Sequence, residues 1–286
     1  MSQGSAAKKA IDKPTQIGKY WQLQLHRDKS AMCWQSCPMP NSRPLAVITG
    51  ASRGLGFQVA KDLAARGFDL ALISREPQRL RDAKASLEVE LAKSANSDNP
   101  QSIEIFPCDL ESMEQTRKLV DEINAKLRTP QVMILAHGVM SEKMSKTLKT
   151  TDAEWRRVMS INLDSVFTLV NGIAPAMVDA RDGRVIIFSA CLGRMSGPGN
   201  AGGLAPYRIS KAGVNALVRN LAHETGLGAR GFYVDAICPN HTRTDMGGPD
   251  APRSVEEGAA TAVWLATRDE IKTTGVLWED FEVVEW

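Results

Sequence analysis

The stretch "LAVITGASRGLG", residues 45–56, joins a short apolar run to a loop that has glycine at three positions. Gly50 permits a tight turn, Gly54 keeps side chains away from a bound pyrophosphate, and Gly56 lets a following helix approach the strand. A helix that starts at Gly56 presents free N–H groups and the positive end of its dipole. A first strand, this loop and a helix together predict a dinucleotide-binding site, with a tight turn that binds nothing as the alternative.

The rest of the chain repeats this alternation of strand and helix. Apolar runs of similar length, most of them separated by helical patterns, occur at 69–74, 102–109, 132–138, 184–190, 233–239 and 275–279. Such runs are typical of buried parallel strands with crossover connections. We therefore predict one α/β domain over 44–286, built on a doubly wound, mostly parallel, seven-stranded sheet of the Rossmann type.

Composition separates the first 43 residues from the rest of the 286-residue chain. Residues 1–43 are basic and rich in proline near their end, which predicts a poorly ordered or loosely docked extension. We expect a cytoplasmic protein, with an organelle transit peptide as the alternative reading of this extension. The net charge of +2 favours neither nucleic acid nor membrane as a partner, and no metal site is predicted.

The end of the second strand, Ser74-Arg75, indicates which dinucleotide the loop accepts. A fold of this kind that binds NAD usually has an acid here to hold ribose hydroxyls, whereas a cation suits the 2′-phosphate of NADP. Arg53, inside the glycine loop, adds a second guanidinium that matches a phosphate dianion. The sequence therefore favours NADP(H); two solvated arginines are the alternative.

Tyr207 and Lys211 lie four residues apart at the start of a predicted helix, 206–225. Residues with this spacing share one face of a helix. A nearby ammonium favours phenolate and lowers the pKa of a tyrosine, so the pair has the chemistry of a proton-transfer site. The pattern is common by chance, and it gains weight from the glycine loop upstream.

Together these motifs resemble the short-chain dehydrogenase/reductase family over about residues 45–286. "TGASRGLG" (49–56) is similar to the family's cofactor loop, and Asp109 follows the third strand where the family contacts the adenine. "LAHG" (135–138) takes the place of the family's Asn-Asn-Ala-Gly turn. The motifs fall in the family's order along the chain.

The second half of the chain carries the family's reaction motifs. Asn162 matches the active-site asparagine, and Tyr207 and Lys211 match the catalytic pair. Segment 238–259 resembles the proline-glycine segment that holds the nicotinamide. This segment, and the glycine-containing insertion before Tyr207, are similar to carbonyl reductases and to the C-factor/Sniffer branch.

The resemblance implies a set of site residues. Tyr207 would protonate a carbonyl oxygen, Lys211 would bind the nicotinamide ribose and lower the tyrosine pKa, and Asn162 would kink its helix and hold a water. The implied catalytic group is Tyr207, Lys211, Asn162 and Ser189. The implied cofactor contacts are Gly50, Ser52, Arg53, Gly54, Leu55, Gly56, Arg75, Asp109, Leu110, His137, Gly138, Tyr207, Lys211, Pro239, Asn240, Thr242 and Thr244.

The sequence departs from the family pattern at the fifth strand. The family has two serines there, of which the second polarises the substrate oxygen, and an ungapped match puts Ser189 at the first and Ala190 at the second. A regular strand would point Ser189 to the opposite face. Four alternatives remain open for polarising the substrate oxygen. Ser189 could do so after a backbone shift, Ser196 or Cys191 could do so instead, or no residue does.

Two further departures fall on loops. Pro239-Asn240 replaces proline-glycine, and asparagine is the next most tolerant residue for positive φ, so this turn can survive. Only Gly138 remains of the Asn-Asn-Ala-Gly turn, where His137 offers a replacement polar contact.

The sequence thus predicts an NADPH-dependent oxidoreductase that reduces a ketone or aldehyde carbonyl, or oxidises the alcohol, with Tyr207 as acid and base. The alternative is a weakly active or inactive cofactor-binding homologue with a signalling or assembly role. A small-molecule substrate and a homo-oligomer, dimer or tetramer, are expected from the resemblance.

Overall fold

The computed structural model describes residues 43–94, 101–142, 146–197 and 202–286. The predicted extension, 1–43, lies outside the described residues apart from Arg43. The described chain forms a doubly wound sheet in the order β3-β2-β1-β4-β5-β6-β7-β8. Its strands are β1 Leu45–Thr49, β2 Asp69–Ser74, β3 Ile103–Pro107, β4 Val132–Leu135, β5 Gly183–Phe188, β6 Phe232–Ile237, β7 Leu277–Glu279 and β8 Glu282–Val284.

The described residues form a sheet of eight strands, so the predicted count of seven is wrong. The first seven strands pair in parallel, and β8 folds back on β7 in antiparallel register, with Leu277 opposite Val284. The connecting residues Asp280 and Phe281 both adopt positive φ, 51° and 67°. Tight hairpins usually mark themselves with glycine or asparagine at these positions. This turn has neither residue, and β8 is only three residues long, so no hairpin was predicted here.

Helices cover both faces of the sheet. Their bounds are α1 Gly54–Ala65, α2 Pro77–Ser94, α3 Met113–Lys126, α4 Asp152–Met159, α5 Ser165–Ala180, α6 Ala205–Glu224 and α7 Val255–Thr267. One core layer packs α3, α5 and α6 against the sheet, and the other packs α1, α2 and α7. Along β1, Val47 points into the first layer while Ala46 and Ile48 point into the second. A strand buried on both faces therefore reads as a continuous apolar run.

The segment from α4 to α5 is one long helix interrupted at Ser160–Asp164 by a π turn. This Asp152–Ala180 segment is long and apolar enough to meet a length-and-composition test for a membrane span, but half of its most apolar window is buried inside the domain. Leu169, Ile173 and Met177 are fully covered by the core. The apolar face is that of a core helix.

The strand order reverses between β1 and β4, which are parallel neighbours although they are far apart in sequence. Ligands of such sheets bind outside the carboxyl ends of the strands at this reversal. The glycine loop follows β1 there, and Ala136 to Gly138 follow β4. The fold thus places these two segments at the mouth of one crevice.

Candidate active site

The glycine loop opens directly into α1, which begins at Gly54 and not at the predicted Gly56. A Cβ built on Gly56 would lie 2.4 Å from the Gly50 carbonyl oxygen, so only glycine fits this helix–strand approach. Gly50 and Gly54 have positive φ, 66° and 56°. Arg53 precedes α1 without a side-chain cap. The first-turn N–H groups of α1 therefore remain for an external acceptor, which fits a dinucleotide pyrophosphate.

Two connected depressions lie along the carboxyl edge of the sheet, and both are lined by Arg53, Ala136, His137 and Gly138. The inner cleft, about 390 Å³, is also lined by Gly54, Leu55, Gly56, Phe188, Ser189, Tyr207, Lys211, Pro239, Arg243, Thr244, Asp245, Met246 and Val255. The outer cleft, about 220 Å³, is also lined by Gly50, Ser52, Ser74, Arg75, Glu76, Arg79, Cys108, Asp109, Leu110, Glu111, Val139 and Ile161. Together the two clefts would fit a long ligand that has a separate group at each end.

Tyr207 and Lys211 lie on the first two turns of α6 and both line the inner cleft. Both are buried, with 6% and 4% of their surface exposed. The Lys211 ammonium lies 5.9 Å from the Tyr207 ring centroid and donates to the Phe188 carbonyl oxygen at 2.7 Å. The shared helix face predicted from the spacing therefore places a phenol and an ammonium side by side.

Asn162 occupies the π turn between α4 and α5 and is fully buried. Its Oδ1 accepts from the Val139 N–H at 2.8 Å, and its Nδ2 donates to the Val139 carbonyl oxygen at 2.9 Å. Nδ2 also donates to the Ser210 hydroxyl at 3.1 Å. The helix is thus interrupted at the predicted asparagine, whose amide joins the loop after β4 to α6. Local π turns occur often at functional sites.

Comparison with known proteins shows the family of the chain. The family model described as short chain dehydrogenase matches residues 44–254. The chain belongs to the short-chain dehydrogenase family. The 3-oxoacyl-[acyl-carrier-protein] reductase FabG of Escherichia coli (strain K12) is 31% identical over 205 residues, 71% of this chain and 75% of the relative.

Solved structures share the fold of this short-chain dehydrogenase. Levodione reductase superposes with a TM-score of 0.70 at 24% identity, covering 82% of this chain and 94% of that one. A blue fluorescent protein from a metagenomic library, solved with NADPH, gives a TM-score of 0.69 at 24% identity with the same coverages. The closer likeness to carbonyl reductases and to the C-factor/Sniffer branch stays a prediction.

Ser189 departs from its predicted role in this short-chain dehydrogenase. Its hydroxyl donates to Asn215 Oδ1 on α6 at 2.6 Å, and the residue is buried. Extended backbone points successive side chains to opposite faces of a sheet. Ser189 therefore points toward α6, as a regular strand predicts. Its hydroxyl proton is therefore committed to α6, which corrects the assignment of Ser189 as the group that polarises a substrate.

Ser196 is also tied elsewhere, since its hydroxyl donates to the Trp286 carbonyl oxygen at 3.3 Å. Cys191 follows Ala190 in a short 3-10 turn, and its N–H lies 3.0 Å from the Cys238 sulfur. Of the alternatives weighed from the sequence, the two serines are thus engaged within the protein. Ala190 stands with extended backbone, φ −161° and ψ 153°, which a serine would also adopt without strain.

His137 uses both ring nitrogens inside the protein. Nε2 lies 2.8 Å from the Ser165 hydroxyl, which itself donates to Ile161, and Nδ1 lies 2.6 Å from the Thr49 hydroxyl. Burial, and then the charge of Lys211, lower the pKa of His137 to about 3, so the ring is neutral. Its side chain links β1 to the start of α5, and the predicted contact between His137 and a cofactor stays a prediction.

The segment after β6 carries the replaced proline-glycine turn. Asn240 has φ 58°, so asparagine does adopt the conformation that glycine would have provided. The Thr242 hydroxyl donates to the Pro239 carbonyl oxygen at 3.0 Å, and Thr244 approaches the glycine loop, where a Cβ on Gly54 would lie 3.4 Å from its Cγ2. Pro239 and Thr244 line the inner cleft, whereas the Thr242 hydroxyl is spent on holding the turn.

The electrostatics of the pair differ from the sequence prediction. Burial raises the pKa of Tyr207 well above its ordinary value, and the neighbouring thiols of Cys238 and Cys191 raise it further. The predicted lowering by Lys211 is wrong for this structure, because the ammonium faces the Phe188 carbonyl oxygen. Burial lowers the pKa of Lys211 from 10.5 to about 8. The phenol is therefore held protonated, as a proton donor must be.

Replacing Lys211 with methionine is expected to raise the free energy of unfolding near neutral pH by roughly 2 kcal/mol. Lowering the lysine pKa from 10.5 to about 8 corresponds to about 3 kcal/mol, and the lost bond to Phe188 offsets about 1 kcal/mol. The cost of burying the charge is fully present below pH 8 and disappears as the pH rises to 10.5.

Urea unfolding of wild type and Lys211→Met at neutral and alkaline pH measures this difference. Lys118→Met, at an exposed helix position, is the matched control and should change stability little. A Lys211→Met variant that is no more stable at neutral pH would contradict the prediction.

Among the residues that line the clefts, Arg79 and Asp245 were not predicted from the sequence. Arg79 joins Arg75 and Arg53 around the outer cleft, and its place four residues after Arg75 on α2 was the available signal. Arg53 forms an exposed ion pair with Asp245, which links the glycine loop to the segment after β6. No local pattern marks Asp245, because the contact joins segments 192 residues apart.

Proposed function

We propose that this short-chain dehydrogenase is an NADPH-dependent oxidoreductase that reduces a ketone or aldehyde carbonyl, with Tyr207 as the proton donor. The observation that carries the proposal is the buried Tyr207–Lys211 pair in the inner cleft, which is continuous with the glycine loop. Nicotinamide, when bound, supplies the hydride. Gly54, Leu55 and Gly56 would hold the pyrophosphate at the start of α1.

The residues of this chain would handle the proton. Burial makes Tyr207 a weaker acid than a free phenol, so its hydroxyl would donate to the carbonyl oxygen only as the arriving hydride places negative charge there. Lys211, which lines the same cleft, would bind the nicotinamide ribose, as the family resemblance implies, and would hold the cofactor beside Tyr207. Oxidation of the alcohol would run the same proton transfer in reverse.

Three arginines on the outer cleft support NADP(H) as the cofactor. Arg53, Arg75 and Arg79 line this cleft beside Ser74, the last residue of β2. Arg75 is exposed and pairs only loosely with Glu76, at 3.3 Å. A phosphate dianion would be a stronger partner than this neighbouring carboxylate because guanidinium groups match its geometry.

Replacing Arg75 with alanine is expected to weaken NADPH binding about tenfold while leaving NADH binding unchanged, because one charge-assisted bond to the 2′-phosphate is lost. Fluorescence titration with both dinucleotides measures this. Arg81→Ala is the control, since Arg81 lies on α2, bonds to Gln78 and lines neither cleft. Equal weakening of NADPH and NADH would count against a phosphate contact.

The relatives support carbonyl reduction. FabG of Escherichia coli is a 3-oxoacyl-[acyl-carrier-protein] reductase, and levodione reductase is named for a dione. Exposed apolar residues on the outer helices, Trp155, Phe167 and Ile209, support a homo-oligomer built on these helices. A cytoplasmic location remains part of the proposal.

A second candidate is a cofactor-binding protein with little or no turnover. It is favoured by Ala190 at the expected serine position and by the engagement of Ser189 with Asn215. The two candidates differ in what happens to NADPH after it binds.

The deciding experiment uses the full chain with NADPH and a carbonyl panel of aromatic ketones, dicarbonyls and a 3-oxoacyl thioester. The proposal expects loss of NADPH absorbance with at least one class, and slower loss with NADH. Saturable NADPH binding without consumption on any carbonyl would reject the enzyme and leave the second candidate.

A further inference from the structure

The backbone of Tyr207 occupies a weakly capped position at the start of α6. Leu204 precedes the helix in left-handed conformation, φ 53°, and contributes no side-chain cap. Tyr207 is the third helical residue, so its N–H has no partner within the helix; the first such bond runs from Arg208 N–H to the Leu204 carbonyl oxygen. A residue expected to position a proton within tenths of an ångström thus sits in a turn that frays easily.

Ser141, from the loop after β4, supplies the missing cap. Its hydroxyl oxygen accepts from the Tyr207 N–H at 2.9 Å, across 66 residues of sequence, and Ser141 is 4% exposed. An N-terminal helix cap normally comes from the residue just before the helix. Here a distant serine performs that role for the residue that carries the proposed chemistry.

The loop that carries Ser141 is itself fastened on both sides. Arg157 donates to the Met140 carbonyl oxygen at 3.0 Å, and the Glu142 N–H donates to the buried Glu154 carboxylate at 2.8 Å. Arg157 also holds Glu154 at 2.8 Å, and this bond lowers the pKa of Glu154. Side chains of α4 therefore hold the backbone on both sides of Ser141.

The carbonyl oxygen of Tyr207 is also held by a hydrogen bond. The Ser210 hydroxyl donates to the Tyr207 carbonyl oxygen at 2.8 Å and accepts from Asn162 at 3.1 Å. Asn162 in turn bonds both backbone groups of Val139, two residues before Ser141. Hydrogen bonds thus connect Val139 to Asn162, Ser210, Tyr207 and Ser141 in turn. The backbone from Val139 to Ser141 closes the ring.

We propose that Ser141 is a positioning residue for the reaction, which fixes Tyr207 by capping α6 from the loop after β4. The inference rests on the proposed function for its kinetic consequence. Small displacements of a reacting group can lower rates about a hundredfold. The glycine loop, which would bind the dinucleotide, lies on other elements and does not depend on this cap. Loss of the cap should therefore affect kcat and leave cofactor affinity unchanged.

The test compares Ser141→Ala with Ser141→Thr, which keeps the hydroxyl, and with Ser112→Ala, which removes the cap of α3 at a residue that lines neither cleft. Ser141→Ala should lower kcat about tenfold with unchanged NADPH affinity. Ser141→Thr should restore most of kcat, and Ser112→Ala should leave it unaltered.

Amide hydrogen exchange gives a readout that needs no turnover. The chain has three tyrosines, so ¹⁵N-tyrosine labelling gives few amide signals, and Tyr207→Phe identifies that of Tyr207. In Ser141→Ala the Tyr207 amide should exchange about tenfold faster, while Tyr233 in β6 shows that the sheet is intact.

Unchanged exchange at Tyr207 in Ser141→Ala would overturn the inference, as would an unchanged kcat in an active enzyme. An inert wild type across the carbonyl panel would instead reject the proposed function, and the exchange rates would still decide whether Ser141 holds Tyr207.

Discussion

Replacing Tyr207 with phenylalanine is expected to lower kcat for carbonyl reduction by about 10²- to 10⁴-fold, the usual contribution of a positioned acid. The substitution removes one oxygen from a buried ring and leaves its packing in place. The glycine loop and the outer cleft are untouched, so NADPH affinity should stay the same. Steady-state kinetics on the best carbonyl, with a fluorescence titration of NADPH, measures both quantities.

Tyr233→Phe is the matched control, because Tyr233 lies in β6 outside both clefts. It should retain wild-type kcat. A Tyr207→Phe enzyme that reduces the carbonyl as fast as wild type would show that another group supplies the proton, and the assignment of Tyr207 would fail.

Replacing Ala190 with serine is expected to raise kcat by roughly 10²-fold, the scale on which a hydrogen-bond donor at a developing oxyanion acts. The motif match puts Ala190 where the family has its polarising serine, and Ser189 cannot serve because its hydroxyl binds Asn215. The extended backbone at Ala190 accepts serine without strain. Rates of wild type and variant on the same carbonyl test the gain.

Ala190→Cys separates hydrogen bonding from size, since a thiol is of similar bulk but a weak donor. It should give little gain. A serine variant no faster than wild type, although folded and able to bind NADPH, would mean that the substrate oxygen lies elsewhere and that the chain polarises it by another route.

The fold was largely readable from the sequence because each buried strand carries its own signal. The runs at 45–49 and 69–74 become β1 and β2 with the same bounds. The strand β8 was not counted in the predicted sheet because a three-residue strand has no periodicity and its turn lacks glycine. Helix α1 starts earlier than predicted because Gly54 already enters the helix.

The candidate site was readable only where a motif is local. The spacing of Tyr207 and Lys211 predicts their shared face, which the structure has. Strand alternation predicts the face of Ser189, but its partner Asn215 and the Ser141 cap on Tyr207 are tertiary contacts. Such contacts leave no spacing in the sequence. The raised pKa of Tyr207 likewise follows from burial, which the motif does not reveal.

The two outermost strands make this sheet a poor template for further strand pairing. At one margin β3 ends in Pro107, which lacks an N–H, and exposes Glu104. At the other, β8 is three residues long and begins with the exposed Glu282. Short margins with charge and proline resist the edge-to-edge growth that leads to aggregates. The margins of the sheet formed by the described residues are therefore poorly suited to a continuous intermolecular sheet.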